Sequence, residues 1–144
     1  MAQMDFTNVK IIPSKTAIEK IKRFCDAHGL PHADFDAVPH CTIVFSRDII
    51  VPARKIPRPD FCRIMVGDAR LKIFKTRDDG DCLVICFSSE KLARANAFYR
   101  ANLNIPAKYE YAPHITLQKN LTRVPRLAKI DFNFMLDKVV IENK

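Results

Sequence analysis

The sequence predicts an α+β fold made of two lobes that are related by an approximate two-fold axis, with mostly antiparallel sheets. The prediction depends on the order of the expected strands and helices and on an ungapped internal repeat. The chain has 144 residues and only three glycines, and it lacks the Gly-rich turn that opens a doubly wound nucleotide-binding fold. Because both lobes are needed to complete one core, we predict a single bilobal domain over residues 1–144.

The first half of the chain predicts a strand, a helix, a loop and a second strand. Residues 8–13 are expected to form a short strand, and Ser14 is a good N-cap for the helix that follows. Apolar residues recur on one face of that helix, and Gly29 suits its C-terminal end. Residues 30–39 are polar and interrupted by proline, which indicates a loop. Residues 40–46 (HCTIVFS) are strongly typical of a β-strand.

The second half repeats this order after further strands. Residues 61–66, 71–76 and 82–87 indicate strands, with an Asp-Gly turn before the last of them. Ser88 or Ser89 is expected to cap a second helix, and a loop then leads to a strand over residues 113–118. Residues 132–141 are expected to close the chain as one or two strands.

A shift of 74 residues aligns the two halves without gaps. Ser14 falls on Ser88, and Phe24 falls on Phe98. The motif Pro-His-x-Thr at residues 39–42 falls on the same motif at residues 113–116. A basic, proline-containing loop follows the motif in each half, at residues 47–63 and 119–131.

Composition favours an anionic partner and argues against a membrane segment. The net charge is +8 and the pI is about 9.4, which suits a nucleotide, a nucleic acid or a phosphate. No apolar run approaches 18 residues and the N-terminus lacks the features of a signal peptide, so a cytoplasmic location is expected. The five cysteines include no C-x-x-C pair, which predicts buried free thiols rather than a zinc site. We expect no cofactor, no metal and no obligate protein partner.

The two His-x-Thr motifs carry the predicted chemistry. Residues i and i+2 of a strand point to the same face, so His40 projects with Thr42, and His114 projects with Thr116. If the lobes pair about a two-fold axis, these four side chains converge in one cleft. One neutral imidazole can then accept a proton while one protonated imidazole donates a proton. The threonine hydroxyls and nearby cations can hold phosphate oxygens, which together favours cleavage of a phosphodiester without a metal.

Continuing the same alternation places Val44 and Ser46 on the cleft face of one strand, and Gln118 and Asn120 on the other. His28 and His32 lack the strand context and are interpreted as structural or solvent-exposed. The acidic residues could ligate a metal, but a solvated loop and a hairpin turn explain them better. These acidic residues are Asp34, Asp36 and the group at residues 78–81.

At these residues the sequence resembles the 2H phosphoesterase superfamily, the 2′-5′ RNA ligase-like proteins. His40-Cys41-Thr42 and His114-Ile115-Thr116 match both of the motifs that define the superfamily. The resemblance covers essentially the whole chain. It implies a concave β cleft with helices outside, and cleavage of 2′,3′-cyclic phosphates or other RNA-type phosphodiesters without metal.

Within the superfamily, the chain is most similar to the compact viral anti-CBASS proteins, on the strings at residues 40–47 and 113–117. Those phage enzymes degrade the cyclic di- and trinucleotide signals of bacterial immunity, so the resemblance implies action in the host cytoplasm. It also implies aromatic stacking of bases and a glutamate near the C-terminus, for which Glu142 is the candidate. Because Trp is absent, stacking must come from Phe or Tyr. The residues expected to bind substrate are Ser46, Arg47, Phe74, Tyr109, Tyr111, Gln118, Lys119 and Glu142.

Three functions remain open on the sequence. The first is hydrolysis of the 3′–5′ linkages of cyclic oligonucleotides, with the ribose 2′-OH as nucleophile. The second is an RNA 2′,3′-cyclic phosphodiesterase that uses the same residues, and the third is a non-catalytic, basic RNA-binding module. The sequence does not assign acid and base between His40 and His114, because that assignment depends on the orientation of the substrate.

Overall fold

Seven strands and three helices are present in a computed structural model that describes residues 7–46, 55–59, 61, 63–105 and 110–143. The elements in chain order are β1 (Thr7–Pro13), α1 (Lys15–Ala27), α2 (Ala33–Ala37), β2 (Cys41–Ser46), β3 (Ile64–Val66), β4 (Arg70–Lys75), β5 (Asp81–Cys86), α3 (Glu90–Asn102), β6 (His114–Gln118) and β7 (Phe134–Asn143). The predicted strands and the two long helices are all present. The segment predicted as one or two closing strands is the single strand β7, and β3 is shorter than the strand predicted at residues 61–66.

The strands form one antiparallel sheet in the order β3-β7-β1-β2-β6-β5-β4, curled into a half-barrel. The central pair is β2 with β6, in which Cys41 lies opposite Ile115. These two residues are 74 positions apart, so each is the repeat equivalent of the other. A local two-fold axis therefore passes between them. The predicted α+β, antiparallel, bilobal fold is confirmed, with the two lobes joined in one continuous sheet.

Both long helices pack on the same face of the sheet. Their buried residues join one core with the inward-facing residues of the strands, among them Ile11, Ile43 and Ile85. Ser14 accepts a hydrogen bond from the Ala17 amide at 3.1 Å, which confirms it as the cap of α1. In α3 the corresponding bond runs from Leu92 to Ser89 at 3.2 Å, so Ser89 rather than Ser88 caps this helix.

The short helix α2 lies where the sequence predicts only a loop. Phe35 is fully buried beneath it and belongs to the main core. The Ala33 amide donates to Oε1 of Gln118 at 2.8 Å, and the Asp34 carboxylate accepts from the Lys119 amide at 2.7 Å. Tertiary contacts with the end of β6 therefore stabilise five helical residues that are too few to be stable alone.

A β-bulge interrupts the pairing at the same place in each lobe. Val9 and Lys10 are consecutive on β1, yet they pair with Val44 and Thr42, so Ile43 is the extra residue. On the other side, Leu83 and Val84 pair with Gln118 and Thr116, which leaves Leu117 as the extra residue. Ile43 and Leu117 are again 74 positions apart, so the repeat extends to the irregularities of the backbone.

The bulges correct the predicted orientation of the residues beyond them. Opposed residues in an antiparallel pair face the same side. Ser46 pairs with the buried Thr7 and Gln118 pairs with the buried Leu83, so both lie on the core face rather than the histidine face. Val44 is likewise buried in the main core. The prediction that these three residues continue the cleft face was wrong, because an extra residue inverts the alternation.

Four cysteines are buried free thiols, as predicted: Cys25, Cys41, Cys82 and Cys86. Cys62 lies outside the described residues. Burial raises the pKa of the Cys25 and Cys41 thiols to about 12, so both remain protonated and unreactive near neutral pH. In the described part of the chain, no helix is both long and apolar enough to span a membrane.

Candidate active site

The two predicted catalytic histidines lie next to each other at the centre of the sheet. Cys41 and Ile115 are fully buried on the core face, while their neighbours in the chain are only partly buried and face the other way. The antiparallel register about this pair sets His40 opposite Thr116 and Thr42 opposite His114. The four side chains of the two motifs therefore meet on the face opposite α1 and α3.

A backbone carbonyl two residues earlier orients each imidazole. Nδ1 of His40 lies 2.7 Å from the Val38 carbonyl oxygen, and Nδ1 of His114 lies 2.9 Å from the Ala112 carbonyl oxygen. A carbonyl oxygen only accepts, so Nδ1 is the donor in both rings. In each histidine Nε2 is then the nitrogen left for proton transfer, and Val38 and Ala112 are also 74 positions apart.

The surroundings of His40 favour its neutral form. Burial lowers the pKa of His40 by more than the bond to Val38 raises it, and the positive charges of Lys10, His114 and Lys119 lower this pKa further. A ring with a lowered pKa is unprotonated near neutral pH. His40 is therefore suited to accept a proton.

Beside His40, the first lobe lines the cleft with polar and charged groups. Lys10 lies opposite Thr42 and forms an ion pair with Glu142 of β7. The side chain of Lys10 is only 12% exposed. The next cleft residue of β1 is Asn8, whose Oδ1 atom is buried and has no hydrogen-bond partner among the described residues. Asn8 pairs with Glu142 on one side and with Phe45 on the other, and the Phe45 side chain is 45% exposed.

Beside His114, the second lobe lines the cleft with apolar groups. Cys82, Val84 and Cys86 are buried on this face and form a small cluster with Phe74. The ring centroid of Phe74 lies 4.9 Å from that of His114, in an edge-on arrangement at 61°. Phe74 pairs with Cys82, and Glu142 pairs with Asn8. Because Asn8 and Cys82 are equivalent in the repeat, the Phe74 ring of the second lobe takes the place of the Glu142 carboxylate of the first.

The other predicted substrate residues differ in their placement. The hydroxyl of Tyr111 donates to the Thr42 carbonyl at 2.7 Å, and burial raises its pKa, so this side chain positions the first motif. The side-chain amide of Gln118 is engaged by α2. The ammonium of Lys119 lies 3.7 Å from the Asp79 carboxylate. Arg47 and Tyr109 lie outside the described residues.

The two histidines outside the motifs, His28 and His32, have contacts within the scaffold. The ring of His28 packs on Phe24 with centroids 4.7 Å apart. His32 bridges Asp26 and Asp36, at 2.7 and 2.8 Å. Among the described residues, no three His, Cys, Asp or Glu side chains group closely enough to hold a metal ion.

Three cleft residues were not recognised in the sequence. Asn8 and Lys10 could have been found, because they alternate with Val9 and Ile11 in a predicted strand that neighbours the histidines. Phe45 carries no such signal, since only the bulge at Ile43 turns it to this face.

Comparison with solved structures identifies the fold. A solved structure described as "Crystal structure of phosphoesterase" matches 98% of this chain and 88% of its own, with a TM-score of 0.64 and 13% sequence identity. Together with the paired His-x-Thr strands, this likeness defines the fold as 2H phosphoesterase-like. The sequence model of the family described as "Anti-CBASS protein Acb1" matches residues 6–143, and the chain belongs to that family. No curated protein sequence matches the chain.

Proposed function

We propose that this protein is a phosphodiesterase that cleaves the 3′–5′ linkages of cyclic di- or trinucleotides, using two histidines and the ribose 2′-OH of the substrate. One observation carries the proposal. His40 and His114 lie diagonally across the β2–β6 pair on the same face of the sheet, and each has Nδ1 bonded to a carbonyl and Nε2 available. Two such nitrogens can transfer a proton at the attacking and leaving oxygens of one phosphate.

In the first step His40 acts as the base, because its lowered pKa keeps the ring neutral. Its Nε2 atom takes the proton of the 2′-OH while the 2′ oxygen forms a bond to phosphorus. The bond from phosphorus to the 5′ oxygen breaks, and Nε2 of protonated His114 gives its proton to that oxygen. The nucleophile is already held beside the phosphate, so proximity lowers the barrier.

The two threonines and the cations stabilise the charge that develops on the phosphate. Thr42 and Thr116 alternate with the histidines around the local two-fold axis, so each hydroxyl reaches a nonbridging oxygen. Tyr111 fixes the backbone of Thr42 through its carbonyl. The first product is a 2′,3′-cyclic phosphate with a free 5′-OH. Water then opens the ring with the roles of the two imidazoles exchanged, which leaves a 3′-phosphate.

The two sides of the cleft hold the two bases differently. Phe74 offers an aromatic face beside His114, where a base can stack. On the other side Phe45 is exposed near Glu142, whose carboxylate oxygens can accept hydrogen bonds from a base edge. Membership of the anti-CBASS family supports a cyclic oligonucleotide immune signal as the substrate, in a role of counter-defence against the host.

Product analysis by mass spectrometry tests the proposal. The purified protein is incubated with a 3′–5′ cyclic dinucleotide of ribose, its 2′-deoxy analogue, and RNA ending in a 2′,3′-cyclic phosphate. We expect cleavage of the ribose ring to products with a 3′-phosphate or 2′,3′-cyclic phosphate and a free 5′-OH. The deoxy analogue is expected to bind without being cut. A product with a 5′-phosphate and a free 3′-OH would show that water attacks directly, against the proposed mechanism.

The same panel separates the alternatives. Turnover confined to the RNA end would identify an RNA 2′,3′-cyclic phosphodiesterase that uses the same residues. Binding of RNA with no turnover of any substrate would identify a non-catalytic module. Either result would contradict the proposed substrate, and only the second would also remove the proposed role of the histidines.

A further inference from the structure

A second concave surface lies on the helical side of the sheet. The first part of α3 and the segment before β3 enclose a pocket of about 550 Å³. The α3 residues of its floor, Ala95 and Tyr99, belong to the core on which α3 packs, on the face opposite the histidines. None of the lining residues belongs to the cleft, so the two cavities are separate. We call this cavity the α3 pocket.

Besides Tyr99 of the floor, four cations and two phenylalanine rings line the α3 pocket. They are Arg58, Arg63, Lys91, Arg94, Phe61 and Phe98. Lys91 and the three arginines are exposed, and Arg94 forms an ion pair with Glu90 at 2.6 Å. Charges of one sign around a cavity repel each other and concentrate a field that attracts an anion. Arginine also matches phosphate oxygens with two parallel donors.

The exposed aromatic ring of the α3 pocket has no counterpart in the first lobe. Counted from their N-caps, Ser14 and Ser89, the two long helices match at a shift of 75 residues, so Phe98 matches Arg23. Phe98 is 43% exposed, and Arg23 is exposed but not aromatic. An aromatic ring at this position is therefore a feature of the second lobe.

The wall of the α3 pocket is held in place by the scaffold. The hydroxyl of the buried Tyr99 donates to the Pro57 carbonyl at 2.6 Å, which ties α3 to the segment that carries Arg58. Arg58 itself donates to the Val139 carbonyl of β7 at 3.4 Å. A cavity that is formed before binding loses less entropy when a ligand enters.

We propose that the α3 pocket binds a nucleotide unit, with its phosphate on the cations and its base against the ring of Phe98. The volume falls within the range of about 300–1,000 Å³ that small-molecule sites occupy. An exposed aromatic ring beside several cations is the combination that holds a single-stranded nucleotide without reading its sequence. The nucleotide can be free, or it can be one unit of a single-stranded RNA, and both sources present the same chemistry.

Binding measurements on protein with an inactive cleft test this proposal independently of turnover. The His40→Ala chain is titrated with adenosine 5′-monophosphate and with fluorescein-labelled hexaadenylate, and backbone amide shifts are followed by NMR. We expect shifts at the amides of Arg94 and Phe98. Phe98→Ala is expected to weaken binding at this site about tenfold, the loss that one base–aromatic stack represents. A response to the monophosphate identifies a free nucleotide as sufficient, and a response to hexaadenylate alone identifies the strand.

Charge variants provide the matched comparison. The pocket variant, Arg63→Glu/Lys91→Glu, reverses two positive charges that line the α3 pocket. The control variant, Lys15→Glu/Arg23→Glu, reverses two positive charges at exposed positions of α1. The pocket variant is expected to abolish the α3 shifts and the control to preserve them, with equal melting temperatures. The proposal would be overturned by amide shifts confined to the cleft, by the absence of shifts with either probe, or by equal losses of the α3 shifts in the two variants.

Discussion

His40 is the residue whose setting most directly connects the fold to the proposed chemistry. Burial at the sheet centre disfavours its charged form, and Lys10 adds a positive charge from the neighbouring strand. Lys10 is in turn held by Glu142. A substitution at any of these residues changes the pKa of His40, so its effect should be measured as a change in the dependence of kcat/KM on pH.

Replacing either motif histidine tests the proposed proton transfers. His40→Ala and His114→Ala should each lower kcat by about 10²–10⁴-fold, the usual contribution of a general acid or base. Each side chain makes one hydrogen bond to a nearby carbonyl, so the fold should be retained. Turnover is measured with a cyclic dinucleotide, with His28→Ala as the control. Near wild-type turnover in either variant would contradict the two-histidine mechanism.

Removing the charge of Lys10 should raise the pKa of His40. In Lys10→Met the neutral side chain keeps the apolar stem, while the loss of the cation and the unpaired Glu142 both favour the protonated imidazole. The acid limb of the plot of kcat/KM against pH should therefore move to higher pH. Lys10→Arg keeps the charge and should leave the limb in place. A shift to lower pH in Lys10→Met would show that Lys10 does not act on His40 in this way.

At the scale of elements, the side chain of His32 joins α2 to α1. Both ring nitrogens of His32 face carboxylate oxygens of Asp26 and Asp36, and carboxylates only accept, so the ring can donate both hydrogen bonds only when it is protonated. This bridge ties α2 to the end of α1. The next residues of the chain supply the Val38 carbonyl that orients His40.

The bridge predicts how stability depends on pH. Partial burial of His32 acts to lower its pKa, but the hydrogen bonds to Asp26 and Asp36 outweigh this effect and raise it. The bridge therefore contributes fully below the ordinary histidine pKa of about 6.5. Its contribution is lost as pH rises through the folded-state value.

Thermal unfolding at a series of pH values measures this contribution. The melting temperature of the wild type should exceed that of His32→Gln most at acidic pH, and the difference should shrink as pH rises. Asp26→Asn/Asp36→Asn removes the two negative charges and should lose the same acidic advantage. A difference that grows with pH would mean that the neutral ring is the stabilising form.

Local sequence predicted the regular elements better than the exceptions. Ser14, Gly29 and the apolar face of α1 define a helix by short-range chemistry. Gly29 adopts a φ of +63°, a conformation that glycine takes without strain. The bulges at Ile43 and Leu117 leave no comparable mark, because an apolar residue fits either a regular strand or a bulge. The helix α2 depends on bonds to residues 118 and 119, which are distant in sequence.

At the scale of the whole molecule, symmetry governs the backbone more than the side chains. The repeat predicted the pairing of β2 with β6 and the convergence of both motifs. It could not predict which side chains fill the two halves of the cleft, since Lys10 and Glu142 occupy positions that Val84 and Phe74 occupy in the other lobe. That residues 1–144 form one domain stays a prediction.

Catalysis should survive chelation. In the proposed reaction the two imidazoles move both protons, and the substrate supplies its own nucleophile, so no step requires a metal-activated water. Turnover of a cyclic dinucleotide in EDTA should equal that in buffer, while a magnesium-dependent nuclease assayed in parallel loses its activity. Loss of turnover on chelation, restored by zinc, magnesium or manganese, would require a different mechanism.

The unequal halves of the cleft have a consequence for the order in which a ring is opened. A cyclic dinucleotide of two identical nucleotides has a two-fold axis of its own, so both of its orientations in the cleft are the same complex. A ring of two different bases loses that equivalence, because one base must lie beside Phe74 and the other beside Asn8 and Glu142. His40 then meets one particular ribose first. Such a ring should give one linear intermediate in excess of the other, and the sequence of that intermediate records which base each lobe prefers.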